Sequence, residues 1–232
     1  MKWEGGGALV NQSWLRMIYD SDSSISSGTL ISPRHVITAG HCVHTGGSGG
    51  SWFSNDDFTL VRRPGVNGAD NTKLNFPAQQ AFAANGWLNN ASPEYDYAII
   101  VLQTANTNQG WMSFGWDTSL GENWRINIDG FPSDKPADTM WHSFGAITDH
   151  NDDNFDHNAP TMPGNSGSAV YLYLAASNFY RIYGVHTGWH SWQVPNFPDF
   201  WNSHTDTANR ASRINELRFQ LICSLMSLSF VC

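Results

Sequence analysis

Short apolar runs, interrupted by Gly, Pro, Asn and Asp, dominate the chain up to about residue 204. Almost no apolar pattern of helical period occurs in this part, so the runs indicate β-strands. Their spacing favours a sandwich or barrel over a parallel sheet with crossover helices. The predicted strands are 14–19, 28–32, 36–39, 58–62, 97–102, 125–130, 140–148, 168–174 and 181–187.

The pattern changes after residue 205, where apolar residues recur at i, i+3, i+7 and i+11. This spacing predicts a C-terminal amphipathic helix with Asp206 near its start and with Ile214, Leu217, Leu221 and Leu225 on its apolar face. Segment 104–121 opens with polar residues and carries no strand pattern, so it is the expected connector between two halves. We therefore expect lobes at 1–110 and 111–204, then a helix and an apolar tail within 205–232.

Composition and charge exclude several classes of partner. The net charge is −8 and no basic run is visible, which argues against nucleic acid. No apolar run approaches the roughly 18 residues of a membrane span, so no membrane partner is expected. Residues 1–7 do not resemble a signal peptide. Either a leader is missing from this chain or the protein is cytosolic.

Ser166 lies in the stretch Gly164-Asn165-Ser166-Gly167-Ser168, directly before an apolar run. The two glycines allow the backbone to turn two N–H groups toward one point, as a serine nucleophile requires. Taken alone, the stretch also fits an ordinary hairpin turn.

A base and an orienting acid are available elsewhere in the chain. His41 follows the run Val36–Ala39 in the stretch Ala-Gly-His-Cys, and Asp96 precedes a fully apolar strand. Each has a structural alternative: His41 could be a buried strand-end histidine and Asp96 a strand cap. The order His, Asp, Ser along the chain makes the catalytic interpretation the stronger one.

Thr-Ala-Gly-His-Cys around His41, Tyr-Asp-Tyr-Ala-Ile-Ile around Asp96 and Gly-Asn-Ser-Gly-Ser around Ser166 resemble the three signatures of the chymotrypsin-like serine proteases. The resemblance implies an all-β fold of two antiparallel six-stranded β-barrels with a C-terminal helix. His41 and Asp96 would come from the first barrel and Ser166 from the second. An α/β-hydrolase is disfavoured because Ser168 stands where its elbow needs glycine.

The family resemblance also assigns roles. His41 would act as general base, Asp96 would orient it, and Ser166 would attack a peptide carbonyl. The N–H groups of Gly164 and Ser166 would form the oxyanion hole. No cofactor or metal is expected.

The expected specificity depends on the residues before the nucleophile. A trypsin-like pocket carries an acid six residues before the serine, and this chain has Pro160 there. Thr161 and His186, with segments 131–136 and 139–141, resemble bacterial glutamyl endopeptidases. The resemblance implies that Thr161 and His186 bind a substrate glutamate, with partial protonation of His186 adding charge assistance. It also implies a secreted monomer that acts on peptides with an acidic residue before the cut, Asp less well than Glu.

The chain departs from the family in two places. Asn165 replaces the aspartate that binds the new N-terminus in the trypsin branch, so that activation switch is not expected. Ser26 and Ser27 occupy the stretch that usually supplies the disulfide partner of Cys42, which is therefore expected to be a buried thiol. Cys223 and Cys232 could pair with each other or not at all.

Other interpretations stay open. An acidic segment before Ser166 could bind calcium or a transition metal, although a solvated turn is favoured; it contains Asp149, His150, Asp152, Asp153, Asp156 and His157. The chain could also be a protease-fold binding or scaffolding protein without turnover, or a serine protease with a different primary specificity.

Overall fold

The structure is a computed structural model. It describes residues 14–18, 25–53, 59–62, 78–105, 110–136, 139–175, 178–194 and 204–227. The N-terminal residues, the tail after Ser227 and with it Cys232 lie outside the described residues. The pairing of Cys223 with Cys232 therefore stays a prediction.

The first half of the chain forms one antiparallel sheet of six strands in the order β4-β1-β2-β3-β6-β5. Within the described residues, its edge strands β4 and β5 do not pair with each other. Strand β6 is buried at every position, as its continuous apolar run predicts. The strands are β1 Trp14–Ile18, β2 Ile25–Leu30, β3 His35–Thr38, β4 Thr59–Arg62, β5 Ala78–Ala83 and β6 Ala98–Leu102.

Short helical turns connect these strands on the side that carries the candidate site. Residues Gly40–Cys42 form a 3₁₀ turn after β3, and Pro93–Tyr95 form another before β6. Helix α1 spans Asn85–Asn90 and follows β5. Both candidate residues of this half, His41 and Asp96, therefore lie at the ends of adjacent paired strands.

The second half forms a sheet of seven strands in the order β11-β8-β9-β10-β13-β12-β7. Strand β11 pairs with both β8 and β12, so six of these strands close into a barrel. The two-residue strand β7 pairs in parallel with β12 outside the ring. The strands are β7 Ser113–Phe114, β8 Arg125–Gly130, β9 Trp141–His150, β10 Asn154–His157, β11 Ala169–Leu174, β12 Phe179–Val194 and β13 His204–Arg213.

The C-terminal helix differs from its prediction in two ways. Residues 204–213 form strand β13, and helix α2 begins only at Glu216 and ends at Ser227. The buried face of α2 consists of Arg218, Ile222 and Met226. Of the four residues predicted to form the apolar face, Ile214 is buried and Leu225 packs against the core, whereas Leu217 and Leu221 are 77% and 43% exposed. The helix is rotated because Arg218 finds hydrogen-bond acceptors in the protein interior, which apolar periodicity cannot indicate.

Two clusters of buried side chains form the core. One fills the closed barrel and includes Ile126, Ile128 and Phe155. The larger one joins both sheets and α2, because it contains Ile37 and Ile100 from the first sheet together with Ile222 from the helix. Among the helices in the described ranges, none is long and apolar enough to cross a bilayer.

Candidate active site

His41 projects from the 3₁₀ turn that follows β3. Gly40 precedes it because the space beside that residue is taken: a Cβ there would lie 2.9 Å from Cγ of Trp87 and 3.0 Å from Oδ1 of Asp96. The Trp87 ring meets the His41 ring edge-on, with centroids 6.2 Å apart. Trp87 is itself held by a hydrogen bond from Nε1 to the His44 carbonyl, 2.9 Å. The turn therefore fixes where the imidazole lies.

Asp96 binds His41 with both carboxylate oxygens. Oδ1 accepts the His41 backbone N–H at 2.8 Å, and Oδ2 lies 2.7 Å from Nδ1 of the ring. The Asp96 side chain is only 8% exposed, whereas that of His41 is 31% exposed. The carboxylate is thus shielded from water while the ring reaches the surface. Because Nδ1 faces Asp96, the Nε2 atom is the one left to exchange a proton with a substrate or nucleophile.

The environment of His41 makes the imidazole more basic than usual. Burial acts to lower its pKa, but negative charge on the Cys42 sulfur, hydrogen bonds to Asp96 and Cys42, and the charge of the Asp96 carboxylate outweigh burial and hold the pKa well above 6.5. The Cys42 side chain is buried, as predicted, and contacts both His41 and Ser26. An imidazole with this pKa is suited to accept a proton from a hydroxyl group.

The loop that carries Ser166 is built on two glycines in the left-handed region, Gly164 with φ of +96° and Gly167 with φ of +84°. It is tied to the first sheet by Ser27 of β2. The Ser27 N–H donates to the Ser166 carbonyl at 2.7 Å, and the Ser27 hydroxyl donates to the Gly164 carbonyl at 2.8 Å. The same hydroxyl accepts the Phe131 N–H at 3.0 Å. One serine therefore joins the loop to both halves of the chain.

The N–H groups of this loop alternate between used and unused. Asn165 donates to the Met162 carbonyl at 3.0 Å and Gly167 to the His186 carbonyl at 2.7 Å. The N–H groups of Gly164 and Ser166 have no hydrogen-bond acceptor within the described residues. Two unsatisfied donors, one on the serine and one two residues before it, are what binding of an oxyanion requires.

The loop lies against the strand end that leads to His41. The Cα of Gly167 faces Thr38 and Ala39 so closely that a Cβ on it would lie 2.2 Å from the Thr38 hydroxyl. Among the described residues, however, no hydrogen bond joins the Ser166 hydroxyl to His41. His41 and Asp96 are therefore brought together directly, and Ser166 is brought to the same strand end without that final bond. Catalytic hydrogen bonds often tighten only when substrate is bound.

Thr161 and His186 are both linked to strand β13. The Thr161 hydroxyl donates to Oδ1 of Asn209 at 2.7 Å, and Asn209 in turn donates to the Ala159 carbonyl at 2.8 Å. His186 pairs with Ala211 of the same strand, two residues further along. Thr161 and His186 are thus linked to positions of β13 that are two residues apart.

His186 is buried next to a second histidine. Its Nδ1 lies 3.3 Å from Nε2 of His157. Burial lowers the pKa of His186 well below 6.5, with further lowering from His157 and His41, and burial lowers the pKa of His157 to about 4. The partial protonation of His186 expected from the sequence is therefore disfavoured, because burial of the two neighbouring imidazoles disfavours a positive charge on either of them. A neutral His186 has one N–H, and in the free protein the ring bonds to the Arg210 backbone.

A groove of about 460 Å³ opens beside the Ser166 loop. Its walls include Trp141, Thr161, Met162 and Asn165. Trp141 is fixed by a hydrogen bond from Nε1 to the Thr139 hydroxyl, 2.8 Å. A surface of aromatic and aliphatic side chains next to the candidate nucleophile can hold part of an extended peptide.

The acidic segment is dispersed rather than gathered around one point. Asp153 binds Arg218 at 2.8 Å, and Asp156 binds Arg210 at 3.0 Å. No group of three or more His, Cys, Asp or Glu side chains in the described ranges has the geometry to hold a metal ion. His157, which the sequence places in this segment, instead packs against His186.

Several residues of the site escaped the sequence analysis. Ser27 and Asn209 contact residues that are far from them in the chain, and so does His157, which contacts His186. No local motif marks them. The adjacency of β10 and β13 would have revealed the last two, but neither strand has the apolar alternation that predicts one.

Comparison with known proteins identifies the family of the chain. Residues 26–173 match the trypsin-like peptidase domain. The chain belongs to this family. It is similar to the glutamyl endopeptidase of Bacillus licheniformis, with 32% identity over 159 residues that cover 67% of this chain and 48% of the relative. It is also similar to the extracellular metalloprotease of Bacillus subtilis, with 30% identity covering 62% and 45% of the two chains.

Among solved structures, a Glu endopeptidase in complex with MPD has a similar fold. The TM-score is 0.73 at 23% identity, covering 98% of this chain and 96% of the other. This likeness supports the chymotrypsin-like fold predicted from the sequence. The chain spans about half the length of the two Bacillus relatives.

Proposed function

We propose that the chain is a serine endopeptidase that cleaves on the carboxyl side of glutamate, and less readily of aspartate. The observation that carries this proposal is the contact of both Asp96 oxygens with His41, next to a loop in which the N–H groups of Gly164 and Ser166 have no acceptor among the described residues. Family membership supports the same chemistry. We also expect a secreted monomer.

In the proposed mechanism, Nε2 of His41 removes the Ser166 proton as the hydroxyl attacks a peptide carbonyl. The imidazolium that forms is stabilised by Asp96, which stays ionised and holds the ring by Nδ1. His41 then gives the proton to the leaving amine. Water attacks the resulting ester by the same route, and the chain is regenerated.

The N–H groups of Gly164 and Ser166 would bind the negative oxygen of each tetrahedral intermediate. Removing one such donor typically lowers the rate about 10²–10³-fold. Both donors are backbone groups, so they cannot be deleted by a side-chain change. The left-handed conformation of Gly164 is what aims the first of them, since other residues rarely adopt it.

Selectivity for glutamate would come from the hydroxyl of Thr161 and an N–H of His186. Both groups are uncharged in the free protein, because the pKa of His186 is low, and each would exchange an internal acceptor, Asn209 for Thr161 and the Arg210 backbone for His186, for the substrate carboxylate. A glutamate carboxylate arriving there would favour protonation of the histidine and so recruit charge assistance only when substrate is bound. The 32% identity to a protein named glutamyl endopeptidase supports this assignment.

A second candidate is a protease-fold protein without turnover. It is favoured by one observation: within the described residues, Ser166 makes no hydrogen bond to His41. Hydrolysis by the purified chain separates the two candidates directly.

The test is a set of peptides that differ only in the residue before the cut, with Glu, Asp, Gln, Arg or Phe at that position. We expect cleavage after Glu to exceed cleavage after Gln at least tenfold, and Ser166→Ala to abolish all cleavage. A chelator should leave the rate unchanged, which also tests the chemistry suggested by the name of the Bacillus subtilis relative. Equal cleavage after Glu, Arg and Phe would remove the roles of Thr161 and His186, and no cleavage would favour the silent candidate.

A further inference from the structure

Helix α2 places a cation in the protein interior beside the turn that carries Asp96. Arg218 is only 4% exposed, although arginine is rarely buried unless each of its donors finds an acceptor. Its interior position explains why α2 is rotated relative to its leucines. Its N–H groups donate hydrogen bonds to residues in both halves of the chain.

Most of the acceptors belong to the second half of the chain. Nη1 donates to the carbonyls of Asp153 and Arg213, at 2.5 and 2.7 Å, and to the Ser212 hydroxyl at 3.2 Å. Nη2 donates to Oδ1 of Asp153 at 2.8 Å. These bonds fix the guanidinium group to the end of β13 and to the loop before β10. The guanidinium is therefore a fixed point, and Nη2 has a second N–H left to donate.

That remaining donor reaches across to the first half of the chain. Nη2 also donates to the carbonyl of Glu94, in the 3₁₀ turn two residues before Asp96. The Ser212 hydroxyl supports the same carbonyl at 3.4 Å. The Arg218 guanidinium carbon lies 5.6 Å from the ring centroid of Tyr95 and 4.9 Å from that of Tyr97. Arg218 thus contacts residues on both sides of Asp96 in the sequence.

Asp96 depends on this turn for its position. It precedes β6, which begins at Ala98, and its own N–H bonds only to the Pro93 carbonyl of the turn, at 3.3 Å. Both of its oxygens must reach His41 at once, one to the backbone and one to the ring. A shift of the turn would lengthen both bonds together. Misplacement of a catalytic group by about 1 Å can lower a rate about 100-fold.

We propose, on the basis of the proposed function, that Arg218 is a positioning residue for the catalytic pair. It holds the Glu94–Tyr97 turn so that the Asp96 carboxylate meets His41 at two atoms. Arg218 does not touch His41 itself and takes no part in proton transfer. The C-terminal helix is therefore part of the machinery that sets the basicity of the general base, and not only a cover for the core.

The test compares Arg218→Met and Arg218→Lys with a matched control, Arg213→Met. Arg213 is also buried, at 7% exposure, and its guanidinium donates to the carbonyls of Asn151 and Asp117, away from the Asp96 turn. Its backbone carbonyl, which accepts from Arg218, is retained in Arg213→Met. Both Met variants remove a buried cation from the same half of the chain, so a loss of stability alone would affect them alike. Activity is measured at a temperature where all variants are folded.

For Arg218→Met we expect kcat to fall about 10–100-fold with KM within about threefold of wild type. The low-pH midpoint of kcat/KM, which reports the pKa of His41, should move down toward 6.5. Arg213→Met should leave kcat and this midpoint as in wild type. The other titratable groups that bear on His41 are Cys42 and His186, and both are retained in every variant. Arg218→Lys should recover part of the loss, since it keeps the charge and one donor group.

The titration of His41 is followed in parallel by NMR of its ring protons, which needs no turnover. If the wild-type chain hydrolyses no peptide, the proposed function fails, and the NMR midpoint still tests whether Arg218 positions Asp96. If Arg218→Met has the same NMR midpoint as Arg213→Met and wild type, the positioning role is overturned even when hydrolysis is normal. Should Arg218→Met not fold, an unchanged midpoint and kcat in Arg218→Lys overturns it equally.

Discussion

Substitution of Gly167 tests whether the Ser166 loop packs closely against the first sheet. Gly167 follows Ser166 and has φ of +84°. A Cβ on it would lie 2.1 Å from the Ser27 carbonyl oxygen and 2.2 Å from the Thr38 hydroxyl. The carbonyl belongs to β2 and cannot retreat without moving the strand. Gly167→Ala must therefore push the loop away from β2 and β3.

The matched control is Gly47→Ala. Gly47 has φ of +76°, but a Cβ there would meet nothing within 4 Å. Both variants bear the cost of a left-handed alanine, about 1–2 kcal/mol. Only Gly167→Ala adds the steric overlap, which costs about 1–3 kcal/mol in a packed interior. The expected destabilisation is thus about 2–5 kcal/mol for Gly167→Ala and about 1–2 kcal/mol for the control.

Thermal unfolding followed by circular dichroism gives the comparison. At about 2–4 °C per kcal/mol for a chain of this length, Gly167→Ala should unfold about 2–12 °C below Gly47→Ala. Because the loop moves away from Thr38 and Ala39, kcat on a Glu peptide should fall about 100-fold in Gly167→Ala and stay near wild type in Gly47→Ala. Equal Tm and equal kcat in the two variants would refute the close packing of the loop.

Three further predictions follow from the site. Asp96→Asn should lower kcat about 10⁴-fold, as the same change does in the trypsin triad. In the wild type, kcat/KM should fall as pH drops through a midpoint above 6.5, and a midpoint at or below 6.5 contradicts the raised pKa of His41. Thr161→Val should lower kcat/KM for a Glu peptide about 10–100-fold, which is the effect of losing a hydrogen bond to a charged group. The kcat/KM for a Phe peptide should stay unchanged. Equal losses on both peptides would show a structural effect only. The pKa of His157 is about 4 in the folded chain and 6.5 in the unfolded chain, so the unfolded chain binds more protons between these two pH values. The free energy of unfolding should therefore fall by about 3 kcal/mol as pH drops from 6.5 to 4. A His157→Gln variant with the same pH dependence of Tm would contradict this.

The catalytic candidates were predictable because each sits in a short local pattern. His41 follows a strand in Ala-Gly-His-Cys, and Asp96 precedes the apolar strand β6. The structure brings this pair together as the pattern indicates. The strands next to them, β3 and β6, are fully buried, and the continuous apolar run of β6 is easily recognised.

Strand β13 was mispredicted as helix for a physical reason. Residues 205–212 of this strand are almost entirely polar. Such a segment can form a strand here because Asn209 and Arg210 find hydrogen-bond partners in the fold. Asn209 binds the Ala159 carbonyl and Arg210 binds Asp156. A strand whose polar side chains are paired internally shows no alternation of apolar and polar residues. Only the fold supplies the partners that make such a strand stable.

The face of α2 was mispredicted by the same cause. Three leucines at helical spacing outweighed a single arginine in the pattern, yet Arg218 is buried while Leu217 is exposed. The arginine is stabilised by carbonyl groups of residues up to 124 positions away in the chain. Sequence periodicity records the polarity of a side chain but not the acceptors that its neighbours in space provide.

The most direct measurement of the central claim is covalent labelling with diisopropyl fluorophosphate, read by mass spectrometry of the intact chain and of its peptides. The account predicts one adduct per chain, located on Ser166, formed much more slowly in Asp96→Asn and absent in Ser166→Ala. An adduct that persists in Ser166→Ala, or a native chain that takes up no label at all, would contradict the claim that His41 and Asp96 make Ser166 a nucleophile.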